Sequence, residues 1–234
     1  MIRGLYSATS GMITTSEQHD IISINLANIN TPTFKEIQIS FSEVSNNIPG
    51  NELNGSKTET VWHKNEIGGL THTGRSLDLA IADPDRYFLL LSNEGQLISR
   101  YGQFVRNTEG LLIDPNGHIL LGNSGPIRLP AEASSIIITE NGTVIADGEE
   151  IDKIRIVSIE NNKAIIQIGA TKYKLNDNLG IRDTESRVLQ GYLENSNISI
   201  NDIFIKMILG NRCYEAIQKT LRMLSDIIQL NTRT

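Results

Sequence analysis

Residues 200–230 read INDIFIKMILGNRCYEAIQKTLRMLSDIIQL, and apolar residues return in this segment every three or four positions. Such spacing predicts an α-helix with a continuous apolar seam, of about 45 Å at about 1.5 Å per residue. Gly210 interrupts the seam, and Ser199 with Asp202 three positions later is typical of a helix start. The seam consists of Ile200, Ile203, Met207, Tyr214, Ile217, Leu221, Leu224 and Ile228.

A second apolar row on the same helix contains residues seven apart, namely Leu209, Ala216, Met223 and Leu230. This row lies about 130° around the helix from the seam, at about 100° per residue. A single partner helix cannot cover both rows. Burial of the helix in the core of its own domain is the alternative, but the preceding sequence is mostly of β type and too short to enclose it. We therefore expect the helix to pack between neighbouring chains.

The amino-terminal segment predicts a second helix with the same seven-residue phase. Thr15 and His19 occupy polar positions in its seam, and no Cys or carboxylate stands three or four residues from His19 to share a metal. Pro32 and the asparagines before it end this helix near residues 28–31. We therefore expect the two ends of the chain to pair in a coiled-coil-like bundle. The apolar seam positions are Leu5, Ala8, Met12, Ile22, Leu26 and Ile29.

Between the helices the period of the apolar pattern changes to two. Short apolar runs separated by turn sequences from residue 68 to 187 predict an all-β middle domain, an antiparallel meander. Residues 32–67 are polar and rich in Asn, Ser and Gly, which indicates an elbow and an extended connector. The predicted class is α+β, with an N-terminal helix (1–31), the connector, the all-β domain and a C-terminal helical segment (188–234).

Composition excludes several classes of function. The 234 residues carry a formal net charge of −6 and no basic cluster, so the sequence has no electrostatic footprint for nucleic acid. No apolar run approaches about eighteen residues, and the start MIRGLYSATSGM lacks the apolar core of a secretory signal peptide. We therefore expect neither a membrane span nor a cleaved signal peptide. The single Cys213 excludes an intramolecular disulfide and a Cys-x-x-Cys metal site.

Catalysis and cofactor binding have little support. None of the four histidines lies in a nucleophile motif. Asp83 and Asp85 could form a glycoside-cleaving pair, but acidic residues at turns are ordinarily solvated. The run Asp114-Pro115-Asn116-Gly117 could suggest calcium, yet a type I turn accounts for all four residues. We expect no enzyme and no cofactor, and the alternative to a structural subunit is a sugar- or peptide-binding β module with helical oligomerisation arms.

Motifs along the chain are more specific than composition. Residues 24–35 read INLANINTPTFK and residues 190–198 read QGYLENSNI. The first resembles the signature after the long N-terminal helix of the flagellar rod and hook protein family, and the second resembles the segment before that family's last helix. Residues 77–81 and 99–104 follow the order of its β-domain motifs, so the likeness covers nearly the whole chain. Thr33 stands where the family usually has glycine, which supplies conformations closed to threonine.

The resemblance implies a structural subunit of the flagellar basal-body rod, and it fits proximal and distal subunits alike. Such subunits would polymerise through their terminal helices into a hollow periplasmic tube that transmits torque and conducts export substrates. The implied partners are further copies, other rod and hook subunits and the flagellar export apparatus. The residues expected at the assembly interface are Leu5, Met12, Ile22, Leu26, Asn28, Phe34, Met207, Leu209, Tyr214, Ile217, Leu221, Met223, Leu224 and Ile228.

Overall fold

The computed structural model describes residues 2–46, 53–93, 95–159, 165–175 and 181–232. The chain forms two compact units, and each unit combines separate parts of the sequence. The β unit lies between the two chain ends in sequence, because both ends belong to the helical unit. The helical unit comprises Met1–Ile29, Glu36–Lys64 and Ile198–Thr234, and the β unit comprises Asn30–Lys35 and Asn65–Asn197.

Two long helices confirm the prediction for the chain ends. Helix α1 spans Ile2–Ala27 and helix α2 spans Ile200–Thr232. The Ser199 hydroxyl accepts a hydrogen bond of 3.4 Å from the backbone N–H of Asp202, so the predicted cap begins α2. At the end of α1 the Asn28 side-chain amide donates to the Ile24 carbonyl at 2.9 Å and satisfies a carbonyl of the last turn.

The two helices pack against each other in opposite directions. Gly4 of α1 lies against Leu224, and Gly11, two turns later, lies against Ile217, which is earlier in α2. Glycine brings the helix axes close because no Cβ separates them. The α2 seam faces this contact, since its members are buried or half-buried, except Ile200 in the first turn.

Gly210, which interrupts the α2 seam, lies against His19, a polar residue of the α1 seam. Gly210 of α2 is buried, and a Cβ added to it would lie 2.9 Å from Cε1 of His19 on α1. The imidazole therefore occupies the space that a larger α2 residue would need. His19 therefore takes part in setting the register of the helix pair.

We expect Gly210→Leu to lower the free energy of unfolding by about 1–3 kcal/mol, because the added side chain overpacks the contact with His19. His19→Ala in the same chain should recover most of that loss. Thermal unfolding of the full chain, followed by the helical circular dichroism signal, gives both values. Losses that simply add in the double variant would contradict the contact.

Residues 37–46 and 53–63, expected as part of an extended connector, form two paired antiparallel strands instead, called here the hairpin. Strand β1 (Ile37–Asn46) pairs antiparallel with β2 (Leu53–His63), and the register shifts between Ser40 and Phe41. The alternation of Ile37 and Ile39 with polar residues indicated β1, whereas the polar sequence of β2 gave no apolar period. Backbone pairing between the two strands satisfies both, although β2 has few apolar side chains.

Side-chain hydrogen bonds attach the hairpin to α1. The Asn25 side chain donates to the Ile37 carbonyl at 2.8 Å and accepts from the Ile37 N–H at 2.9 Å. The Ser10 hydroxyl accepts from the Ser56 N–H at 3.1 Å. Since Asn25 is buried, its two bonds replace those that it would make with water. The hairpin is therefore part of the helical unit.

The β unit is built from short antiparallel strands. Those described are β3 (Leu70–His72), β4 (Leu79–Ile81), β5 (Arg86–Ser92), β6 (Gly95–Ser99), β7 (Val105–Arg106), β8 (Leu112–Ile113), β9 (Ile119–Leu120), β10 (Ile136–Ile138), β11 (Thr143–Ala146), β12 (Glu149–Lys153), β13 (Ile156–Ile159), β14 (Ile165–Gln167), β15 (Lys172–Leu175), β16 (Ile181–Asp183), β17 (Val188–Gln190) and β18 (Tyr192–Glu194). Strands β17 and β18 fall in the segment that was assigned to the C-terminal helix.

The antiparallel pairing is confirmed, but the largest sheet follows a meander only in part. Its order is β14-β15-β6-β5-β9-β8-β7, with β13 pairing β5 and β16. Strand β5 pairs with three strands and carries the fully buried Phe88 and Leu90. Phe88 meets Phe104 edge to face, with ring centroids 5.5 Å apart. The core of the β unit is therefore centred on β5.

The Asp114–Gly117 run is a turn, as predicted. The Gly117 N–H donates to the Asp114 carbonyl at 2.9 Å, and Gly117 has a φ of 84°, which glycine adopts without strain. The buried Asp114 carboxylate accepts from Lys172 at 2.6 Å and from the His118 N–H at 2.9 Å. Burial opposes ionisation, but these hydrogen bonds outweigh it and hold the pKa of Asp114 below its usual value.

Candidate assembly surfaces

The second apolar row of α2, called here the α2 outer row, is the most exposed apolar surface of that helix. Leu209 is 59% exposed, Met223 62% and Leu230 68%, and Ala216 is exposed as well. The row lies on the side of α2 away from the seam, so α1 leaves it uncovered. Large apolar side chains at this exposure are stabilised when another surface covers them.

The first turns of α2 widen this surface. Phe204, Ile205 and Ile208 are all exposed, and they follow Ile200, which is also exposed. Ile203 in the same turns is buried, so only the seam side of the helix is covered. Phe204, Ile205 and Ile208 were not predicted at an interface, because they lie outside the two heptad rows.

Helix α1 has an exposed row that the sequence analysis missed. Tyr6 is 49% exposed and Ile13 55%, and Asp20 and Ala27, at the same spacing of seven, are exposed as well. We call these four residues the α1 outer row. A heptad count started at Tyr6 would have found it, but Asp20 breaks the apolar pattern.

The predicted interface residues divide into three groups. Most seam residues are half-buried in the helix pair, as Met12, Tyr214 and Leu221 are, and Ile22 is fully buried. Leu209 and Met223, which lie on the α2 outer row, are exposed. Phe34 belongs to the β unit and is only 2% exposed, so the helices do not bring it to their surface.

The elbow is held by the strand that precedes α2. The Thr33 N–H donates to the Glu194 carbonyl at 2.9 Å, and the Phe34 carbonyl accepts from the Asn197 N–H at 3.3 Å. Residues on both sides of the Phe34 side chain are thereby fixed to β18 and the segment after it. Burial of Phe34 makes the elbow part of the β unit, although the sequence predicted it as part of the connector before the β domain.

Thr33 adopts the conformation that was expected to be closed to it. Its φ is 62°, in the left-handed region that glycine enters at no steric cost. Its hydroxyl is buried and has no hydrogen-bond partner among the residues that the structure describes. Threonine in this region is strained, because its branched Cβ lies close to the following carbonyl. The elbow therefore keeps a glycine-type turn without glycine.

We expect Thr33→Gly to raise the free energy of unfolding of the β unit by about 1 kcal/mol, because relief of left-handed strain exceeds the added entropy of glycine in the unfolded chain. Thr33→Ala, which keeps a Cβ but removes the unpartnered hydroxyl, should gain less. Urea unfolding of the three chains compares them. A Thr33→Gly chain less stable than the parent would show that the Thr33 side-chain packing outweighs the strain.

Glu194 lies at the centre of a buried ionic cluster beside the elbow. Its carboxylate accepts from Lys35 Nζ at 2.6 Å, from Arg100 Nη2 at 2.7 Å and from the Gly68 N–H at 3.1 Å. All three side chains are almost completely buried. Burial lowers the pKa of Lys35, and attraction to Glu194 opposes that effect. Within the β unit, the cluster joins the elbow at Lys35 to Gly68, to Arg100 and to β18.

Arg100 also donates to three backbone carbonyls of the β unit. Its guanidinium donates to the carbonyls of Ile81, Asp83 and Arg86 at 2.8–2.9 Å. Those residues lie in β4, at the start of β5 and in the loop between them. A planar group with five N–H donors can make all of these bonds at once, which an ammonium cannot.

A shallow cleft of about 180 Å³ lies within the helical unit, between α1 and the hairpin. Ile21, Ile37 and the half-exposed Trp62 contribute its apolar surface. Among the described residues no group of three or more His, Cys, Asp or Glu side chains is placed to hold a metal ion. In the part of the chain that is described, neither helix is long and apolar enough to cross a membrane.

Three family descriptions match separate parts of the chain. Residues 5–35 match the family described as "Flagella basal body rod protein". Residues 83–146 match "Flagellar hook protein FlgE/F/G D1 domain", and residues 189–232 match "Flagellar basal body rod FlgEFG protein C-terminal". The first and last matches cover both helices and the elbow, and the middle match lies in the β unit.

Curated relatives are similar over nearly the full length. The flagellar basal-body rod protein FlgG of Bacillus subtilis is 31% identical, over 98% of this chain and 97% of its own length. The flagellar basal-body rod protein FlgF of Caulobacter vibrioides is 27% identical, over 94% and 93%. The FlgG of Borreliella burgdorferi is 28% identical, over 97% of both chains. These names describe structural parts of the flagellum rather than enzymes or sugar- or peptide-binding modules.

Proposed function

Since this chain belongs to the flagellar basal-body rod protein family, we propose that it is a structural subunit of the bacterial flagellar rod and polymerises through the exposed rows of α1 and α2. The observation that carries this proposal is the exposure of the α2 outer row, with Met223 at 62%, while the seam two residues away is covered. The resemblance found in the sequence and the similar relatives agree on the family.

We further infer that α1 and α2 act as a coiled-coil-like pair in the assembled rod. Their antiparallel contact through Gly4 and Gly11 and the cover that it gives the α2 seam support this pairing. With the seam satisfied inside each chain, the outer rows are left for contacts between chains. Lateral contacts of this kind around an axis produce a tube whose wall consists of helices.

The remaining parts of the proposal follow from the family. We propose that the tube is hollow and periplasmic, that it transmits torque and conducts export substrates, and that the chain reaches it through the flagellar export apparatus. Its partners are further copies and other rod and hook subunits. The net charge of −6 supports a surface with no role in nucleic-acid binding.

Deletion of the gene for this chain from its source bacterium tests this function. We expect cells without it to be non-motile, and electron microscopy of their isolated basal bodies to show rods that are shortened or absent. Expression of the full chain in the same cells should restore both. Normal rods and normal motility in the deletion strain would refute the proposal.

A further inference from the structure

The two outer rows match each other in length and spacing. The α1 outer row runs from Tyr6 to Ala27, and the α2 outer row runs from Leu209 to Leu230, each with members seven apart. Within one chain the rows cannot meet, because Gly4, Gly11 and His19 face α2 from the other side of α1. The Tyr6 ring lies beside Gly55 of β2 on one side and is 49% exposed on the other. Each copy therefore offers to its neighbours the α2 outer row and the exposed part of the α1 outer row.

We propose, on the basis of the proposed function, that the α1 outer row of one copy packs antiparallel on the α2 outer row of the next copy. α1 and α2 are antiparallel within the chain, and copies that share one orientation along a polymer axis keep that relation between chains. The resulting pairs are Tyr6 with Leu230, Ile13 with Met223, Asp20 with Ala216, and Ala27 with Leu209.

Charge and size favour this register. Asp20 is the only exposed charged residue of α1 between positions 4 and 27. It lies opposite Ala216, the small member of the α2 row, where space remains for its side chain. Arg212 and Lys219 flank Ala216 one turn before and one turn after, and both are exposed. The carboxylate of one copy would therefore lie between two cations of the next.

Shifts by one heptad lose this match. A shift in one direction places Asp20 opposite Met223, and a shift in the other places it opposite Leu209, so in either case a carboxylate meets a large apolar side chain. Near Met223 the neighbouring charges one turn away are Lys219 and Asp226, so Asp20 would meet one cation and one anion there instead of two cations. Leu209 has Lys206 and Arg212 three residues away on either side, so against that shift the argument rests on the size of Leu209. Burial of a charge against a large apolar group is unfavourable, so the register with Ala216 opposite Asp20 is favoured over both shifts.

The proposed contact is a heterologous interface, which can extend into a polymer. The patch on α1 differs from the patch on α2, so two copies in contact still present one unpaired row of each kind. A third copy can add to either side without a new type of interface. The second copy of this same chain is therefore the partner to which the charges and spacing point.

Paired cysteines test the register in cells in which the variant is the only copy of the chain. With Cys213→Ser as background, Ile13→Cys and Met223→Cys should join copies into a ladder of multimers after mild oxidation. The matched control, Ile13→Cys with Ala216→Cys, places the thiols about one heptad out of register and should give monomers. The proposal would be overturned if rods assemble and the ladder forms only with the control pair or with neither pair. It would also be overturned if the cysteines cross-link only to a different rod protein.

Charge reversal supplies an independent measurement that does not depend on cysteines. We expect Asp20→Lys to reduce rod assembly at least tenfold, and Arg212→Asp with Lys219→Asp in that same chain to restore it. Circular dichroism of the purified variants controls for folding. If the triple variant folds and fails to assemble, the proposed register is refuted, whereas normal rods in the deletion strain would refute the function itself.

Discussion

Glu194→Ala should destabilise the β unit more than any other single change considered for it, by about 3–5 kcal/mol. The substitution leaves Lys35 and Arg100 buried without their shared anion, and it removes the acceptor of the Gly68 N–H. Breaking one partner of a buried ionic cluster costs far more than the net value of the cluster, since the remaining charges cannot return to water. Hydrogen exchange of the amides of β5 reports the stability of this unit separately from the helices.

A matched control is available in the same unit. Glu185 pairs with Lys153 at 3.0 Å, and the Glu185 side chain is 91% exposed. Glu185→Ala should change the stability by no more than about 1 kcal/mol, because solvent screens exposed pairs. Similar losses in the two variants would show that Glu194 is solvated in solution and that the cluster does not fix the elbow.

Met223→Asp should abolish polymerisation while leaving the monomer folded. Met223 is exposed in the single chain, so a carboxylate there stays in water until a neighbouring copy covers it. Covering an unpaired charge costs several kcal/mol per contact, which repeats along the polymer. Sedimentation of the purified chain and rod formation in cells without the native copy measure the effect.

Two substitutions on the same helix sharpen that result. Leu221 lies on the half-buried seam, so Leu221→Asp should destabilise the α1–α2 pair in the monomer and block assembly as well. Ser225 is exposed on another side of α2, and Ser225→Asp should assemble normally. Normal assembly of Met223→Asp would mean that α2 makes contacts only through its seam. It would remove the main support for packing between copies.

The two long helices were predictable from sequence, because the residues that specify them are close to them in the chain. Heptad spacing, the Ser199 cap and Pro32 lie within or beside the helices that they specify, so α1 and α2 follow from neighbouring residues. Strand pairing is different, since β5 pairs not only with the next strand, β6, but also with β9 and β13, which are distant in sequence. The hairpin β1–β2 was missed because the polar side chains of β2 carry no alternation, and its position depends on hydrogen bonds from α1.

The candidate assembly surfaces were predictable to a similar extent. The α2 outer row was found from its spacing alone, whereas its α1 counterpart was hidden by Asp20, a charged residue that breaks the apolar spacing. The elbow was located by its motif, but its support was not. Glu194 and Lys35 stand far apart in the sequence, and only the fold shows that one carboxylate holds the cation next to Phe34.

The placement of both chain ends in one unit has a consequence for the order of folding. Most contacts of β5 can form from the middle of the sequence, whereas α1 can meet only the hairpin until α2 is present at the other end. Closing so long a loop is slow compared with forming local hairpins. In refolding, β-unit amides should therefore gain protection before those of α1. A chain that is still incomplete would carry the α1 outer row on a helix that has not yet met α2. Such a chain could not yet add to a growing polymer.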